Sequence, residues 1–128
     1  MAVLIDTNIA IHLRDGDAAT NDRLRSLDSL PLMSIVSRVE LEGGVYSRPA
    51  LAPQRRTALD ILLRAIAVLP FEPPMVDTYG RIVAACGYSR PRILDRMIAA
   101  TALVHDLTLV TINGDDFRDI PGLKLEVW

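Results

Sequence analysis

The first apolar run of the chain, residues 3–5 (Val-Leu-Ile), constrains the fold more than any other feature of the sequence. Its residues show none of the apolar–polar alternation that is typical of a half-exposed strand. A continuous run of this kind indicates a strand covered on both faces, as in a parallel sheet between layers of helices. The run ends at Asp6, and the following Thr7 and Asn8 favour leaving a strand. The N-terminus therefore predicts a buried strand that carries a carboxylate at its carboxyl end.

The rest of the chain alternates further strands with helices. Apolar runs predict strands over residues 32–36, 66–69, 107–111 and 123–127. Apolar residues at helical spacing predict helices over residues 9–13, 17–29, 37–44, 54–65, 75–86 and 95–105. Strands and helices that alternate with short connections are the pattern of an α/β domain with a mainly parallel sheet. We therefore expect one domain, residues 1–128.

Composition narrows the class of protein further. A chain of 128 residues, half of them hydrophobic, is long enough to bury a real core. It contains no apolar run near the roughly eighteen residues of a membrane helix, and no basic segment leading into a secretory signal. Cys86 is the only cysteine, so an intrachain disulfide is impossible and a reducing cytoplasm is the expected location. The formal net charge of −2 does not by itself indicate a nucleic-acid-binding protein.

Acidic residues recur at the junctions between the predicted strands and helices. One follows the first strand, one lies in the first turn of the helix after the second strand, one begins the helix before the fourth strand, and two follow the fourth strand: Asp6, Glu40, Asp95, Asp115 and Asp116. The carboxyl ends of parallel strands and the helix starts that follow them share one edge of the sheet. We therefore expect these carboxylates to converge, with Asp95 depending on the loop before its helix.

Two of these acids also have purely structural interpretations. Asp6 can cap the helix that follows it, because aspartate is a common N-cap residue. Ser37 and Glu40 form the Ser-x-x-Glu pattern of a capping box, in which the glutamate bonds back to the backbone at the helix start. The local sequence leaves both interpretations open.

Clustered carboxylates repel one another, and a hard divalent cation removes that conflict. Mg²⁺ or Mn²⁺ suits carboxylate oxygens, whereas His12, His105 and Cys86 lack the spacing of a zinc site. Divalent ions held by carboxylates hydrolyse phosphodiesters by activating water and stabilising the leaving oxygen. The sequence therefore favours metal-dependent phosphodiester hydrolysis.

Four segments together resemble the PIN-domain ribonucleases, and among them the VapC-type toxins of toxin–antitoxin pairs. The resemblance covers nearly the whole chain and rests on residues 4–8 (Leu-Ile-Asp-Thr-Asn), 34–41 (Ser-Ile-Val-Ser-Arg-Val-Glu-Leu), 95–102 (Asp-Arg-Met-Ile-Ala-Ala-Thr-Ala) and 109–117 (Leu-Val-Thr-Ile-Asn-Gly-Asp-Asp-Phe). It implies a three-layer α/β/α sandwich with a mainly parallel sheet of about five strands. It also implies a homodimer, an RNA substrate, no membrane association and a VapB-like antitoxin that blocks the cleft.

The resemblance further implies roles for individual residues. Asp6, Glu40 and Asp95 would bind Mg²⁺ or Mn²⁺, and the Thr-x-Asn-x-x-Asp-Phe pattern would make Asp116 the fourth catalytic acid. The neighbouring Asp115 leaves that fourth assignment open. The remaining supporting residues would be Asn8 and Asn113.

Three arginines are close in sequence to Asp95, the predicted third acid: Arg90, Arg92 and Arg96. Guanidinium groups match phosphate and carboxylate oxygens in two-point contacts. These residues are therefore candidates for contacts with RNA or with an antitoxin, and surface salt bridges are the alternative.

We predict a Mg²⁺- or Mn²⁺-dependent endoribonuclease that acts as a growth-inhibiting toxin. One alternative is a PIN-like binding module without catalysis, which the retention of all four acids disfavours. The other is an aspartate-based phosphatase, whose Asp-x-Asp pattern is replaced here by Asp6 and Asn8.

Overall fold

A computed structural model describes residues 1–128, and its centre is a sheet of five parallel strands. The strands are β1 (Ala2–Ile5), β2 (Leu30–Ser34), β3 (Ala67–Leu69), β4 (Thr108–Thr111) and β5 (Leu125–Val127). Their spatial order is β3-β2-β1-β4-β5, so the first strand of the chain is the middle strand of the sheet. The predicted parallel sheet of five strands is confirmed.

Six helices cover the sheet: α1 (Thr7–Arg14), α2 (Ala18–Arg25), α3 (Ile35–Tyr46), α4 (Ala52–Ala65), α5 (Pro73–Cys86) and α6 (Ile93–Val104). Single 3₁₀ turns occupy Pro49–Leu51, Arg90–Arg92 and Gly114–Asp116. None of these helices has the length and apolar character needed to cross a bilayer.

Two separate hydrophobic cores, one on each face of the sheet, make the fold a three-layer sandwich. Val3 and Ile5 belong to the core beneath α1, α3 and α4, and Leu4 belongs to the core beneath α5 and α6. Successive side chains of a strand point to opposite faces, so an uninterrupted apolar run is what a doubly covered strand requires. The interpretation of residues 3–5 as a central buried strand is therefore confirmed.

The boundary between β2 and α3 differs from the prediction. The strand ends at Ser34 and the helix begins at Ile35, with the Ser34 side chain accepting a hydrogen bond from the Val36 backbone N–H at 3.1 Å. The predicted helix start at Ser37 is therefore wrong by two residues. The strand also begins earlier than the predicted residue 32, because Pro31 lies within β2 and pairs with Val3.

The strand order creates a switch point beside β1. From β1 the chain moves outward to β2 and β3 on one side, and later to β4 and β5 on the other. At such a point the connections leave in opposite directions, and the crevice between them is where open α/β sheets bind ligands. The segments that follow β1 and β4 border this crevice.

Candidate active site

Asp6 lies directly at the switch point, immediately after β1, and its side chain is almost fully buried. One carboxylate oxygen, Oδ1, accepts a hydrogen bond from the Ile9 backbone N–H at 2.9 Å, so Asp6 does cap α1. The other oxygen, Oδ2, accepts a hydrogen bond from the Thr111 hydroxyl at the end of β4. Burial raises the pKa of Asp6, these hydrogen bonds oppose the rise, and the charge of Glu40 adds to it. The capping and site interpretations are therefore compatible.

Glu40 lies in the second turn of α3, not at its start, and its contacts are distant in sequence. Its Oε1 atom accepts a hydrogen bond from the Thr7 hydroxyl at 2.6 Å. Because Ser34 caps the helix and Ser37 lies inside it, the pair of Ser37 and Glu40 cannot form a capping box. The capping interpretation of Glu40 is therefore wrong.

Asp95 lies in the first turn of α6. Burial raises its pKa to about 6, and the charges of Asp116, Glu40 and Asp6, in that order, add to the rise. The nearby guanidinium of Arg92 opposes it. The four carboxylates therefore share one electrostatic environment, although they come from four separate segments of the chain.

The two adjacent acids after β4 have different surroundings. Asp115 is highly exposed and pairs with Arg118, three residues further along the chain. Asp116 is partly buried and contributes the largest charge effect on the pKa of Asp95. These surroundings favour Asp116 over Asp115 for the predicted fourth acidic position.

The chain matches known proteins along almost its whole length. The family model of the PIN domain matches residues 3–123. The chain belongs to the PIN-domain family. Ribonuclease VapC1 of Rickettsia felis is 33% identical, and the match covers 98% of this chain and 95% of that protein. The tRNA(fMet)-specific endonuclease VapC of Salmonella typhimurium is 27% identical over 98% of this chain and 96% of that protein.

Solved structures show the same similarity for this PIN domain. The VapBC2 complex of Rickettsia felis, bound to a DNA fragment from its promoter, contains a chain that superposes with a TM-score of 0.85 at 26% identity. That match covers 100% of this chain and 99% of the other. The corresponding chain in DNA-bound VapBC of Salmonella typhimurium superposes with a TM-score of 0.88 at 23% identity, over 100% of this chain and 98% of that one, which supports the fold. The family resemblance drawn from the sequence is confirmed.

The three arginines of this PIN domain differ in their surroundings. Arg96 is buried, and it donates a hydrogen bond to the Gly87 carbonyl oxygen at 2.6 Å. This burial argues for a structural role, contrary to the contact predicted from its position. Arg92 is partly exposed and donates to the Asp116 carbonyl oxygen at 3.4 Å, whereas Arg90 is exposed. Arg92 and Arg90 remain candidates for contacts with RNA or with an antitoxin.

The predicted supporting asparagines lie at the rim of the crevice. Asn8 is partly buried in the first turn of α1, and the exposed Asn113 begins the turn that carries Asp116. The Asn113 backbone N–H donates to the Thr111 hydroxyl oxygen at 2.9 Å. The roles of Thr7 and Thr111 were not predicted. The signal in the sequence is a hydroxyl residue directly after Asp6 (Thr7) and another at the last position of β4 (Thr111).

The donor set of this PIN domain fits Mg²⁺ or Mn²⁺. No three His, Cys, Asp or Glu side chains lie close enough to form a complete ligand group by themselves. Mg²⁺ does not require one, because it keeps several water molecules and binds through one or two carboxylates. Burial and the charges of three neighbouring carboxylates raise the pKa of Asp95, so the four acids together form a site that a divalent cation would stabilise.

Substitution of the two adjacent aspartates provides a direct test of the fourth acid. We expect Asp116→Asn to reduce the RNA cleavage rate by about tenfold or more, because it removes a charge from the acid cluster. Asp115→Asn should leave the rate within about twofold, because it removes only an exposed ion pair. Single-turnover cleavage of one RNA by both variants measures the difference. The reverse order of effects would assign the fourth position to Asp115.

Proposed function

We propose that this PIN domain is a divalent-metal-dependent endoribonuclease that acts as a VapC-type toxin and inhibits growth. The observation that carries the proposal is the shared environment of Asp6, Glu40, Asp95 and Asp116 at the switch point of the sheet. We assign the binding of Mg²⁺ or Mn²⁺ to these four residues. The names of the VapC relatives support an RNA substrate.

Each acid contributes in a way that follows from its surroundings. A divalent ion bound by these carboxylates would lower the pKa of water and offset negative charge on the phosphodiester. Asp6 is fixed in orientation by hydrogen bonds to both of its oxygens. Glu40 is held through Oε1 only, so its second oxygen is available to the ion or to water. Asp95 and Asp116 would approach the same ion from α6 and from the turn after β4.

RNA binding requires positive charge near an otherwise acidic edge. The guanidinium of Arg92 lies close enough to lower the pKa of Asp95, and its side chain is partly exposed. We propose that Arg92, with Arg90, contacts phosphates that flank the cleaved bond. The acidic centre would repel RNA without its cation, so the ion would also be needed for productive binding.

We further propose that a VapB-type antitoxin covers this edge, because solved structures of similar chains are VapBC complexes. The expected homodimer stays a prediction. The helices α4 and α5 carry exposed apolar side chains at Ile61 and Val76. Such residues are compatible with a second copy packing against these helices.

Removal of divalent ions is the direct test of this function. Protein purified free of antitoxin should cleave a mixture of cellular RNAs that includes tRNA when Mn²⁺ or Mg²⁺ is present, and cleavage should stop in EDTA. Restoring excess Mn²⁺ should restore cleavage, and Asp6→Asn should remain inactive throughout. Full activity in EDTA would contradict the metal-dependent mechanism. Mn²⁺ binding without cleavage of any RNA would favour the binding-module alternative.

A further inference from the structure

Two buried hydroxyl groups connect the start of α1 to Glu40. The Thr7 Oγ1 atom lies 2.6 Å from Glu40 Oε1 and 3.0 Å from Ser37 Oγ. Both Thr7 and Ser37 are buried, with exposed fractions of 8% and 0%. Solvent therefore has little access to either hydroxyl, and these contacts satisfy them.

The proton count fixes the direction of this chain of hydrogen bonds. A threonine hydroxyl has one proton to donate, and the shorter contact, to a carboxylate oxygen, is the stronger of the two. Thr7 therefore donates to Glu40, and Ser37 donates to Thr7. Ser37 and Glu40 are three residues apart in α3, so they present their side chains on the same side of that helix.

The position of Thr7 in the chain links the first two acids of the cluster, Asp6 and Glu40. Thr7 directly follows Asp6, so the segment that places the first acid also holds the second. A glutamate side chain has three rotatable bonds and would sample several positions if it were free. The hydrogen bond from Thr7 fixes Glu40 through one oxygen and leaves the other available.

We infer that Thr7, supported by Ser37, is a positioning residue that holds Glu40 in its cation-binding orientation. The inference rests on the proposed function of Glu40 as a metal-binding acid. Residues that orient metal ligands commonly change metal affinity or activity by about 10–100-fold when they are replaced. A merely structural threonine would affect stability and leave the cation affinity of the folded protein unchanged.

Thr7→Val tests the inference because it keeps the shape of the side chain and removes only the hydroxyl. We expect Mn²⁺, added alone and followed by isothermal titration calorimetry, to bind about tenfold more weakly to Thr7→Val than to the original protein. Thr7→Ser, which keeps the donor, should restore the affinity to within about threefold. Single-turnover RNA cleavage should follow the same order.

The chain offers a matched control in Thr20, whose hydroxyl donates to an Asp17 oxygen at 2.6 Å in the cap of α2. Thr20→Val removes the same type of hydrogen bond at the same distance, but outside the acid cluster. It should lower thermal stability and leave Mn²⁺ affinity and cleavage unchanged. An equal loss of Mn²⁺ affinity in Thr20→Val and Thr7→Val would contradict the positioning role.

A double-mutant comparison separates failure of this inference from failure of the proposed function. In a Glu40→Gln background, Thr7→Val should weaken Mn²⁺ binding no further, because the residue that it positions has lost its charge. If Thr7→Val does not fold, Ser37→Ala serves as the second variant, and it should weaken Mn²⁺ binding measurably but less. If the original protein binds Mn²⁺ and the folded hydroxyl variants bind it equally well, the inference about Thr7 is wrong. If the original protein does not bind Mn²⁺ at all, both the inference and the proposed function are wrong.

Discussion

Asp95→Asn is expected to abolish RNA cleavage, by a factor of about a hundred or more, and to make the metal-free protein more stable at neutral pH. The loss of activity follows from removing one preorganised charged group from the site. The gain in stability follows from the burial, and then the repulsion by neighbouring carboxylates, that raise the pKa of Asp95 to about 6. Chemical unfolding and single-turnover cleavage measure the two effects.

The sign of the pH dependence follows from the two pKa values of Asp95. The folded protein holds the proton up to about pH 6, and the unfolded chain releases it near the ordinary aspartate pKa of 3.8. Stability is therefore lost as the pH rises through this window, and asparagine removes that loss. A shift of this size corresponds to at most about 3 kcal/mol. Because the side chain is only partly buried, we expect a gain of about 1 kcal/mol at pH 7.5 after solvent screening.

Two further measurements sharpen the Asp95 test. The stability difference between Asp95→Asn and the original protein should vanish below about pH 3, where the aspartate is protonated in both the folded and the unfolded chain and carries the same charge as asparagine. Saturating Mn²⁺ should stabilise the original protein more than the variant, because binding to the folded state alone adds to its stability. Retained cleavage in the variant would contradict the catalytic role of Asp95. A variant that is less stable than the original protein at pH 7.5, and by the same amount below about pH 3, would contradict its electrostatic role.

Glu40→Gln is expected to reduce cleavage by about a hundredfold or more while the protein stays folded. Glutamine keeps the volume of the side chain and an oxygen that can accept the Thr7 hydrogen bond, but it carries no charge. The rate of RNA cleavage, the Mn²⁺ affinity measured by titration and the growth arrest on expression should all decrease. The pKa of Asp95 should fall as well, because the charge of Glu40 contributes to its rise.

Glu42→Gln is the matched control for this substitution, since it removes a carboxylate from the same helix. Glu42 pairs with Arg56 at 2.6 Å and lies outside the acid cluster. Its replacement should change stability slightly and leave cleavage intact. If Glu40→Gln were folded, active and toxic while Asp95→Asn was inactive, Glu40 would have no metal-binding role.

The central strand and the edge of the sheet that carries the acids could be predicted without the tertiary structure. The position of β1 could be predicted because an uninterrupted apolar run that ends at a polar segment is typical of a strand buried on both faces. The family resemblance pointed to Asp6, Glu40, Asp95 and Asp116 as the acids, and the strand–helix pattern placed them at one edge. The strand and its edge rely on residue types and on the geometry of parallel sheets, which do not depend on the details of packing, whereas the roles of the four acids rely on the resemblance.

The residue at which α3 begins was ambiguous in the sequence, because a serine side chain has several possible hydrogen-bond partners. Ser34 and Ser37 can each cap a helix, and the Ser-x-x-Glu pattern favours Ser37. In the folded chain β2 extends to Ser34, which pairs with Leu69 of β3, and the helix starts there. The earlier start places Ser37 inside the helix, where it contacts Thr7 instead of a backbone N–H.

The order of residues along the chain was enough to predict where the strands end, and therefore which edge of the sheet carries the acids. Packing in three dimensions was needed to establish that Thr7 holds Glu40 across 33 positions of the chain and that Arg96 is buried. It was also needed to establish that the charge of Asp116 raises the pKa of Asp95, whereas Asp115 is exposed and pairs with Arg118. The physical reason is the range of the interactions. Strand ends follow from the alternation of apolar and polar segments, whereas hydrogen-bond partners and burial depend on helices that pack together only after the sheet has formed.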